Sequence, residues 1–172
     1  ITGNGSLLKK VYVPKYIFTM SKVTSDLVNL LFSLGAMLIV FIVTRVQFSL
    51  YMLLIPVILV ELYIFCLGIS MFLAQASVFF RDIQYIYAAI TTAWMYLTPI
   101  FYPMEQLPEM LQNIIKWINP MYHYINQFRI VVLEARMPSA YTFGYGFGVG
   151  IIVLVVGTAI FQKKQDKFIL YI

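Results

Sequence analysis

The sequence predicts an all-α polytopic membrane protein, with four transmembrane helices in this chain and a short re-entrant helical hairpin on the outer side. Hydrophobic residues make up 62% of the 172 residues and charged residues only 11%, whereas soluble domains carry about 45–50% and about 25%. The apolar residues fall into runs long enough to cross a bilayer, and basic residues gather at the ends of those runs. This composition excludes an ordinary soluble protein and predicts one membrane domain over residues 1–172.

Four apolar segments are each predicted to form one transmembrane helix, because a lone strand cannot satisfy its backbone hydrogen bonds in lipid. A crossing takes about 20 residues, and each segment comes close to that length. The third segment is more aromatic and less apolar than the others. The predicted spans are residues 23–43, 50–73, 83–101 and 143–161.

The distribution of Lys and Arg predicts that both ends of the chain lie in the cytoplasm, since cytoplasmic loops carry an excess of basic residues. The net charge of +5 therefore indicates orientation in a membrane rather than binding to nucleic acid. The predicted inner residues are Lys9, Lys10, Lys15, Lys22, Arg81, Lys163, Lys164 and Lys167, against Arg45, Lys116, Arg129 and Arg136 outside.

The segment between the third and fourth spans, residues 102–142, is predicted to form the outer hairpin. Pro108 suits a first helical turn, apolar residues then recur at helical spacing, and Asn119-Pro120 stops that helix before a second one begins. Each piece is about 11–14 residues, which is too short to span and typical of re-entrant helices. The alternative is an amphipathic pair lying flat on the membrane surface, but the Asn-Pro turn favours the hairpin.

Glu61 lies at the centre of the second predicted span. A carboxylate at this depth is costly unless it is paired, protonated or facing water, so it is a candidate functional residue. The alternative, equally weighted, is a neutral Glu hydrogen-bonded to a neighbouring helix.

The last predicted span opens with glycines at alternate positions. Gly144 with Gly148, and Gly146 with Gly150, are spaced one helical turn apart. Such pairs of small residues permit two membrane helices to pack closely, so we expect this span to be tightly packed.

The motifs of common enzymes are absent from the sequence. There is no G-x-x-x-x-G-K-[ST] loop for ATP. His123 is the single histidine and has no cluster of carboxylates or cysteines beside it, so no metal site is expected. Neither paired carboxylates nor a nucleophile with its base stands out. The chain is therefore predicted to be a conduit rather than an enzyme, with no cofactor of its own.

Three motifs resemble the membrane subunit (permease) of ABC type-2 exporters, in the branch that exports teichoic acids, O-antigen and capsular polysaccharides. They are the FFRD loop at residues 79–82, the W-x-x-x-T-P-I-F-Y-P end of a span at 94–103, and the N-P…F-R pattern at 119–129. The resemblance covers essentially the whole chain. Members of that family usually have six spans, and this chain starts at Ile1 rather than Met. We therefore expect it to be the C-terminal part of a six-span subunit.

The resemblance implies that two permease copies pair around a channel in the bacterial cytoplasmic membrane, with two separate ATPase subunits docked below. ATP and magnesium would then bind to the ATPase partner, and a polysaccharide on a lipid carrier would be the substrate. Two cytoplasmic segments would contact the ATPase. The alternative for the first segment is a basic membrane anchor, and the alternative for the second is a solvated Arg–Asp pair. These docking candidates are Lys9, Lys10, Val13, Pro14, Lys15, Phe79, Phe80, Arg81 and Asp82.

Aromatic residues crowd the predicted outer half of the chain. An interfacial belt is the ordinary explanation. Tyr and Trp also offer flat apolar faces with polar tips, which suit a sugar polymer, so some of these residues are candidates for the channel or its outer mouth. They are Trp94, Tyr96, Tyr102, Trp117, Tyr122, Tyr124 and Phe128, together with Arg129.

Other functions fit the sequence less well. A type-2 permease for drugs or lipids would share the same pattern, and only the aromatic outer half favours a sugar. A membrane-embedded glycosyl- or acyltransferase would need polar catalytic residues converging at one membrane face, and the sequence lacks them.

Overall fold

The computed structural model describes residues 16–45, 48–79 and 82–164. Within these three stretches the chain forms six α-helices and two short 3₁₀-helices, with no strand, so the predicted all-α fold is confirmed there. The 3₁₀-helices are Leu50–Leu54 and Met104–Gln106. The α-helices are α1 (Tyr16–Val43), α2 (Ile55–Phe79), α3 (Ile83–Leu97), α4 (Glu109–Ile118), α5 (Pro120–Val132) and α6 (Ala140–Lys164).

Three helical segments among the described residues are long and apolar enough to cross a bilayer. They are Tyr16–Val43, Leu50–Ser77 and Ala140–Lys163, and they contain most or all of the first, second and fourth predicted spans. Each continues beyond the apolar run that predicted it, because a helix does not end where the hydrocarbon ends. The chain is therefore a multi-pass membrane protein.

The third predicted span is shorter than expected. Helix α3 ends at Leu97 rather than at residue 101, and it has 15 residues. Thr98 is extended, with φ −80° and ψ 126°, because the ring of Pro99 disfavours the helical conformation of the residue before it. At 1.5 Å per residue α3 is about 22 Å long, less than the roughly 30 Å of a hydrocarbon core. The helical boundary predicted at residue 101 is therefore wrong.

Helices α2 and α6 pack backbone against backbone. A Cβ atom added at Gly157 would lie 2.2 Å from the carbonyl oxygen of Gly68, and one at Gly68 would lie 2.5 Å from the amide nitrogen of Leu154. Gly146 and Gly150 also face α2, as the small-residue spacing predicts. Gly144 and Gly148, in contrast, have no atom of the described chain within 4 Å of an added Cβ. Only one of the two predicted glycine pairs therefore packs α6 against α2.

Helix α5 completes the core and α1 stays at its edge. Ile58 of α2 is buried against Val131 and Val132 of α5, and Phe128 and Phe143 pack on this cluster. Helix α1 touches α2 through the hydroxyls of Thr24 and Tyr63, which are 2.9 Å apart, while most of its large apolar side chains are exposed. Helices α2 and α6 are therefore the frame on which α5, and with it α4, is positioned.

We expect Gly157→Ala to destabilise the protein by about 1–3 kcal/mol, because the added methyl group meets backbone that cannot move aside. Unfolding of the detergent-solubilised full-length protein by denaturant measures the effect. Gly148→Ala is the matched control in the same helix. It adds a methyl group where the described chain leaves space, so it should be neutral or stabilising by up to about 1 kcal/mol. Equal stability of the two variants would contradict the packing of α2 on α6.

Candidate functional site

Asn119 is the junction of the helical hairpin that α4 and α5 form. Its side-chain oxygen accepts hydrogen bonds from the backbone N–H of Met121 at 3.1 Å and from the indole N–H of Trp94 at 2.8 Å. Its amide nitrogen donates to Thr98 Oγ1 at 2.8 Å. Asn119 thus caps α5, whose first residue is Pro120, a pairing that Asn and Pro favour at helix starts. One buried side chain joins the end of α3 to both helices of the hairpin.

The chain that follows α3 is held by two of the predicted outer residues. The Arg129 guanidinium donates to the carbonyl oxygen of Ile100 at 2.6 Å. The Tyr102 hydroxyl is 3.0 Å from the carbonyl oxygen of Tyr96 and 3.1 Å from that of Leu97. The carbonyl oxygens of Tyr96 and Leu97 lie at the end of α3, where they have no partner within the helix. In this structure Tyr102 therefore satisfies carbonyl oxygens at the end of α3, while Arg129 of α5 holds Ile100, which lies three residues beyond that end.

Glu61 lies in a fully buried polar cluster between α2, α5 and α6. Its side chain and that of Gln127 are both 0% exposed. The Tyr124 hydroxyl donates to the carbonyl oxygen of Gly146 at 3.0 Å, and the Gln127 amide donates to that of Thr142 at 3.1 Å. A Cβ at Gly146 would lie 2.7 Å from Glu61 Oε2, so only glycine leaves room for the carboxyl group.

The carboxyl group of Glu61 is poorly compensated. The side chain of Gln127 interacts with it, but neither carboxyl oxygen makes a hydrogen bond of good geometry to the described residues. The ion pairs in the described part of the chain join Lys22 to Asp26 and Arg136 to Glu134, so none reaches Glu61. Keeping such a group as an anion inside a membrane protein costs free energy that no described partner offsets.

The aromatic residues that the sequence assigned to the outer half lie in different parts of the structure. Trp94 stacks edge-on against Phe65 at 6.4 Å between ring centres. It lines an apolar cavity of about 270 Å³ between α2, α3 and α5. Trp117 and Tyr122 instead line a more polar recess of about 240 Å³ on the hairpin. Tyr96 is largely exposed, and Tyr124 is buried beside Glu61.

The polar recess is built around an aromatic group shared by α5 and α6. The ring of His123 packs 4.1 Å from that of Tyr145, and Tyr141 lies at its edge. His123 Nε2 donates to the carbonyl oxygen of Lys116 at 2.7 Å, and the Tyr145 hydroxyl donates to that of Trp117 at 2.6 Å. Burial lowers the pKa of His123, with this hydrogen bond acting in the opposite direction. A neutral His123 therefore helps to hold the end of α4.

Most of the predicted docking residues lie outside the residues that the structure describes. This holds for Lys9, Lys10, Val13, Pro14, Lys15, Phe80 and Arg81. Phe79 is the last residue of α2. Asp82 is exposed at the start of α3, where its carbonyl oxygen accepts the backbone N–H of Tyr85 at 3.0 Å. The turn between α2 and α3 thus presents at least one charged side chain to solvent.

The described part of the chain is a bundle of apolar helices with a polar cluster in its interior and a hairpin of two short helices, and comparison with known proteins identifies its family. The model of the ABC-2 type transporter family matches residues 6–133. The chain belongs to that family. It therefore carries the membrane domain of a type-2 ABC transporter.

Two known proteins are similar to almost the whole of this chain. One from Myxococcus xanthus is 27% identical over 169 residues, which cover 98% of this chain and 65% of that protein. One from Klebsiella pneumoniae is 28% identical over 167 residues, which cover 96% of this chain and 64% of that protein. Both are named O-antigen export system permease protein RfbA. The chain thus spans somewhat less than two thirds of the length of these relatives.

We expect Asn119→Ala to destabilise the protein by about 2–4 kcal/mol, since it removes a helix cap and leaves the indole N–H of Trp94 without its acceptor. Asn113→Ala is the matched control, because Asn113 is exposed on the neighbouring helix α4. Thermal unfolding of the purified full-length protein compares the two variants. A midpoint for Asn119→Ala equal to that of the control would contradict the role of Asn119 as the hairpin junction.

Proposed function

We propose that this chain belongs to the permease subunit of an ATP-driven exporter, which moves a lipid-linked polysaccharide across the bacterial cytoplasmic membrane. The polysaccharide would be of the teichoic acid, O-antigen or capsule type. The observation that carries the proposal is the similarity to two O-antigen export permeases over 98% and 96% of this chain. The membership of the ABC-2 family supports it independently.

In the proposed arrangement the chain crosses the membrane four times and has both ends in the cytoplasm. Helix α3 and the extended residues after it would make the third crossing together. Helices α4 and α5 would enter the outer leaflet as a re-entrant hairpin. The exposure of Met110 (75%) and Ile118 (73%) on α4 supports this placement, because apolar side chains in that position suit contact with lipid. The burial of α5 against α2 and α6 would anchor the hairpin.

The energy for export would come from a separate ABC ATPase, bound in two copies to a pair of permeases. The ATPase would hold ATP and magnesium, and this chain would transmit the movement. The candidates for that contact are the residues 7–16 and the turn at residues 79–82. The exposed Asp82 supports a contact at the turn between α2 and α3.

The recess on the hairpin is the part of the structure that best suits a sugar polymer. Trp117 is 69% exposed there, and Tyr122 and Tyr141 offer further ring faces beside the amide of Asn126 and the amine of Lys116. Sugar rings stack on such faces, and their hydroxyls bond to polar groups at the edge. We place the outer part of the export path here.

A permease for drugs or lipids is the second candidate. The cavity of about 270 Å³ that Trp94 lines favours it, because an apolar cavity suits a small apolar ligand better than a sugar.

Restoring the full-length gene to cells that lack it distinguishes the two candidate functions. The wild type should return the polysaccharide to the cell surface, and Arg81→Glu should not, with carrier-linked polymer accumulating inside. Reversing a charge at the docking turn should also reduce the ATPase that co-purifies with the protein by about tenfold, as the loss of one charged contact would.

The control for this charge reversal is Lys163→Glu, which makes the same change at the exposed inner end of α6. It should retain both export and the ATPase. Unchanged surface polysaccharide in the deletion strain, with increased sensitivity to drugs, would replace the first candidate with the second. Normal assembly of Arg81→Glu would exclude the turn as the docking site.

The proposed topology predicts the side from which introduced cysteines react. In a background without other cysteines, Asn113→Cys on the exposed side of α4 should react with a membrane-impermeant maleimide added to intact spheroplasts. Lys163→Cys should react only after lysis, because α6 would end in the cytoplasm. The reverse pattern of labelling would show that the chain has the opposite orientation.

A further inference from the structure

The cluster around Glu61 contains three buried oxygen atoms that lack hydrogen-bond donors. In the part of the chain that the structure describes, Oε1 and Oε2 of Glu61 and Oε1 of Gln127 have no partner of good geometry. Both side chains are 0% exposed, so bulk water, lipid and a second copy of the chain do not touch them. Acceptors buried in this way are rare in proteins and destabilise the fold.

An ionised Glu61 would leave at least two of these three oxygen atoms unsatisfied, because an ionised carboxyl group has no hydrogen to donate to Oε1 of Gln127. Helix α6 brings Thr142 and Gly146 to the cluster, and the carbonyl oxygens of both already accept hydrogen bonds. Tyr124 on α5 is the titratable group recorded beside Glu61, and Tyr124 interacts in turn with Cys66 on α2 and Tyr145 on α6. None of these side chains is basic. The two tyrosine hydroxyls donate to the carbonyl oxygens of Gly146 and Trp117. No described ion pair brings a basic side chain to the carboxyl group, so a negative charge there would have no counter-charge.

We propose that Glu61 binds a proton, and that the protonated carboxyl group and the Gln127 side chain form a cyclic acid–amide pair between α2 and α5. The hydroxyl of the protonated carboxyl group donates to Oε1 of Gln127. The amide nitrogen of Gln127 carries two hydrogens. One is directed to the carbonyl oxygen of Thr142 at 3.1 Å, and the other donates to the carbonyl oxygen of the Glu61 carboxyl group. One proton taken from water therefore satisfies all three oxygen atoms.

A proton fits this cluster better than a metal ion does. Calcium and magnesium take about six to eight oxygen ligands, whereas three free acceptor oxygens are present. The space is also filled, because Glu61 Oε2 lies 2.7 Å from where a side chain at Gly146 would begin. The cluster therefore has room for a pair of hydrogen bonds but not for a metal ion.

The acid–amide pair would attach the hairpin to the two spans. Glu61 is on α2, Gln127 is on α5, and the carbonyl of Thr142 belongs to α6, so one proton joins three helices. In lipid a helix contact of this kind depends on hydrogen bonds and packing, because apolar burial between helices contributes little. Removing the proton would leave a charge at the point where the hairpin meets the spans, and would weaken this attachment.

Infrared difference spectroscopy tests the protonation directly. The sample is the full-length permease in complex with its ATPase, and the spectrum of Glu61→Gln is subtracted from that of the wild type at neutral pH. We expect the carbonyl stretch of a protonated carboxyl group in the wild type and its loss in Glu61→Gln. Glu105→Gln, at an exposed outer position, is the control and should lose a carboxylate band instead. Loss of a carboxylate band in Glu61→Gln would overturn the proposal.

Thermal unfolding of the same complex tests the acid–amide pair. A glutamine at position 61 can donate to and accept from Gln127 as the protonated acid does, so Glu61→Gln should unfold near the wild-type temperature. Glu61→Leu and Gln127→Leu should each lower the midpoint, and the double variant should lower it by less than the sum. A Glu61→Gln variant as unstable as Glu61→Leu would show that the charge is needed. A Glu61→Leu variant as stable as the wild type would exclude the hydrogen bonds. Neither measurement depends on the substrate, so both are separate from the test of export.

Discussion

The close contact between α2 and α6 is the constraint on which the rest of the structure depends. Gly68 and Gly157 bring the two backbones together, and no other residue would permit this separation. Helices this close leave no space for a side chain at Gly146 either, so the Glu61 carboxyl group occupies that position. The burial of a polar cluster within an apolar bundle therefore follows from the glycines, because they decide how deeply Glu61 is enclosed.

The hairpin of α4 and α5 is attached to this pair of helices by hydrogen bonds as well as by apolar burial. Tyr124 and Gln127 bond to carbonyl oxygens of α6, while Asn119 and Arg129 bond to Thr98 and Ile100, which follow α3. Helix α5 consequently contacts both sides of the bundle. Helix α4 is fixed at its C-terminal end and leaves most of its apolar side chains uncovered. The two helices of the hairpin thus differ, since α5 is buried against the bundle while most of the apolar side chains of α4 are exposed.

The sequence was sufficient for the features that depend on hydropathy and local chemistry. The long apolar runs predicted four spans, of which three are helices long enough to cross a bilayer, and the Asn-Pro boundary predicted the separate helices α4 and α5. The end of α3 was missed because the apolar run continues past Pro99, although the proline itself is the signal that stops the helix. Close packing of α6 was predicted, but the sequence did not distinguish Gly146 and Gly150, which face α2, from Gly144 and Gly148, which do not.

The polar cluster shows why part of the candidate site could not be predicted. Glu61 stood out because a carboxylate is rare within a span, whereas Gln127 lies 66 positions later in the sequence and only the fold brings the two together. Tyr124 and Arg129 were grouped with the outer aromatic residues because sequence indicates depth but not the direction of a side chain. In the structure Tyr124 lies in the interior, and Arg129 donates to the carbonyl oxygen of Ile100 in the segment after α3.

The attachment of α5 also has a mechanical consequence. Helix α2 has 25 residues and is about 38 Å long, so it can act as a lever with the turn before α3 at one end and the hairpin near the other. A tilt of about 5° around one end of α2 displaces the other end by about 3 Å over that length. Because α5 is fastened to α2 and α6 together, the hairpin would travel with them, so a small rotation at the turn before α3 would be carried to the hairpin.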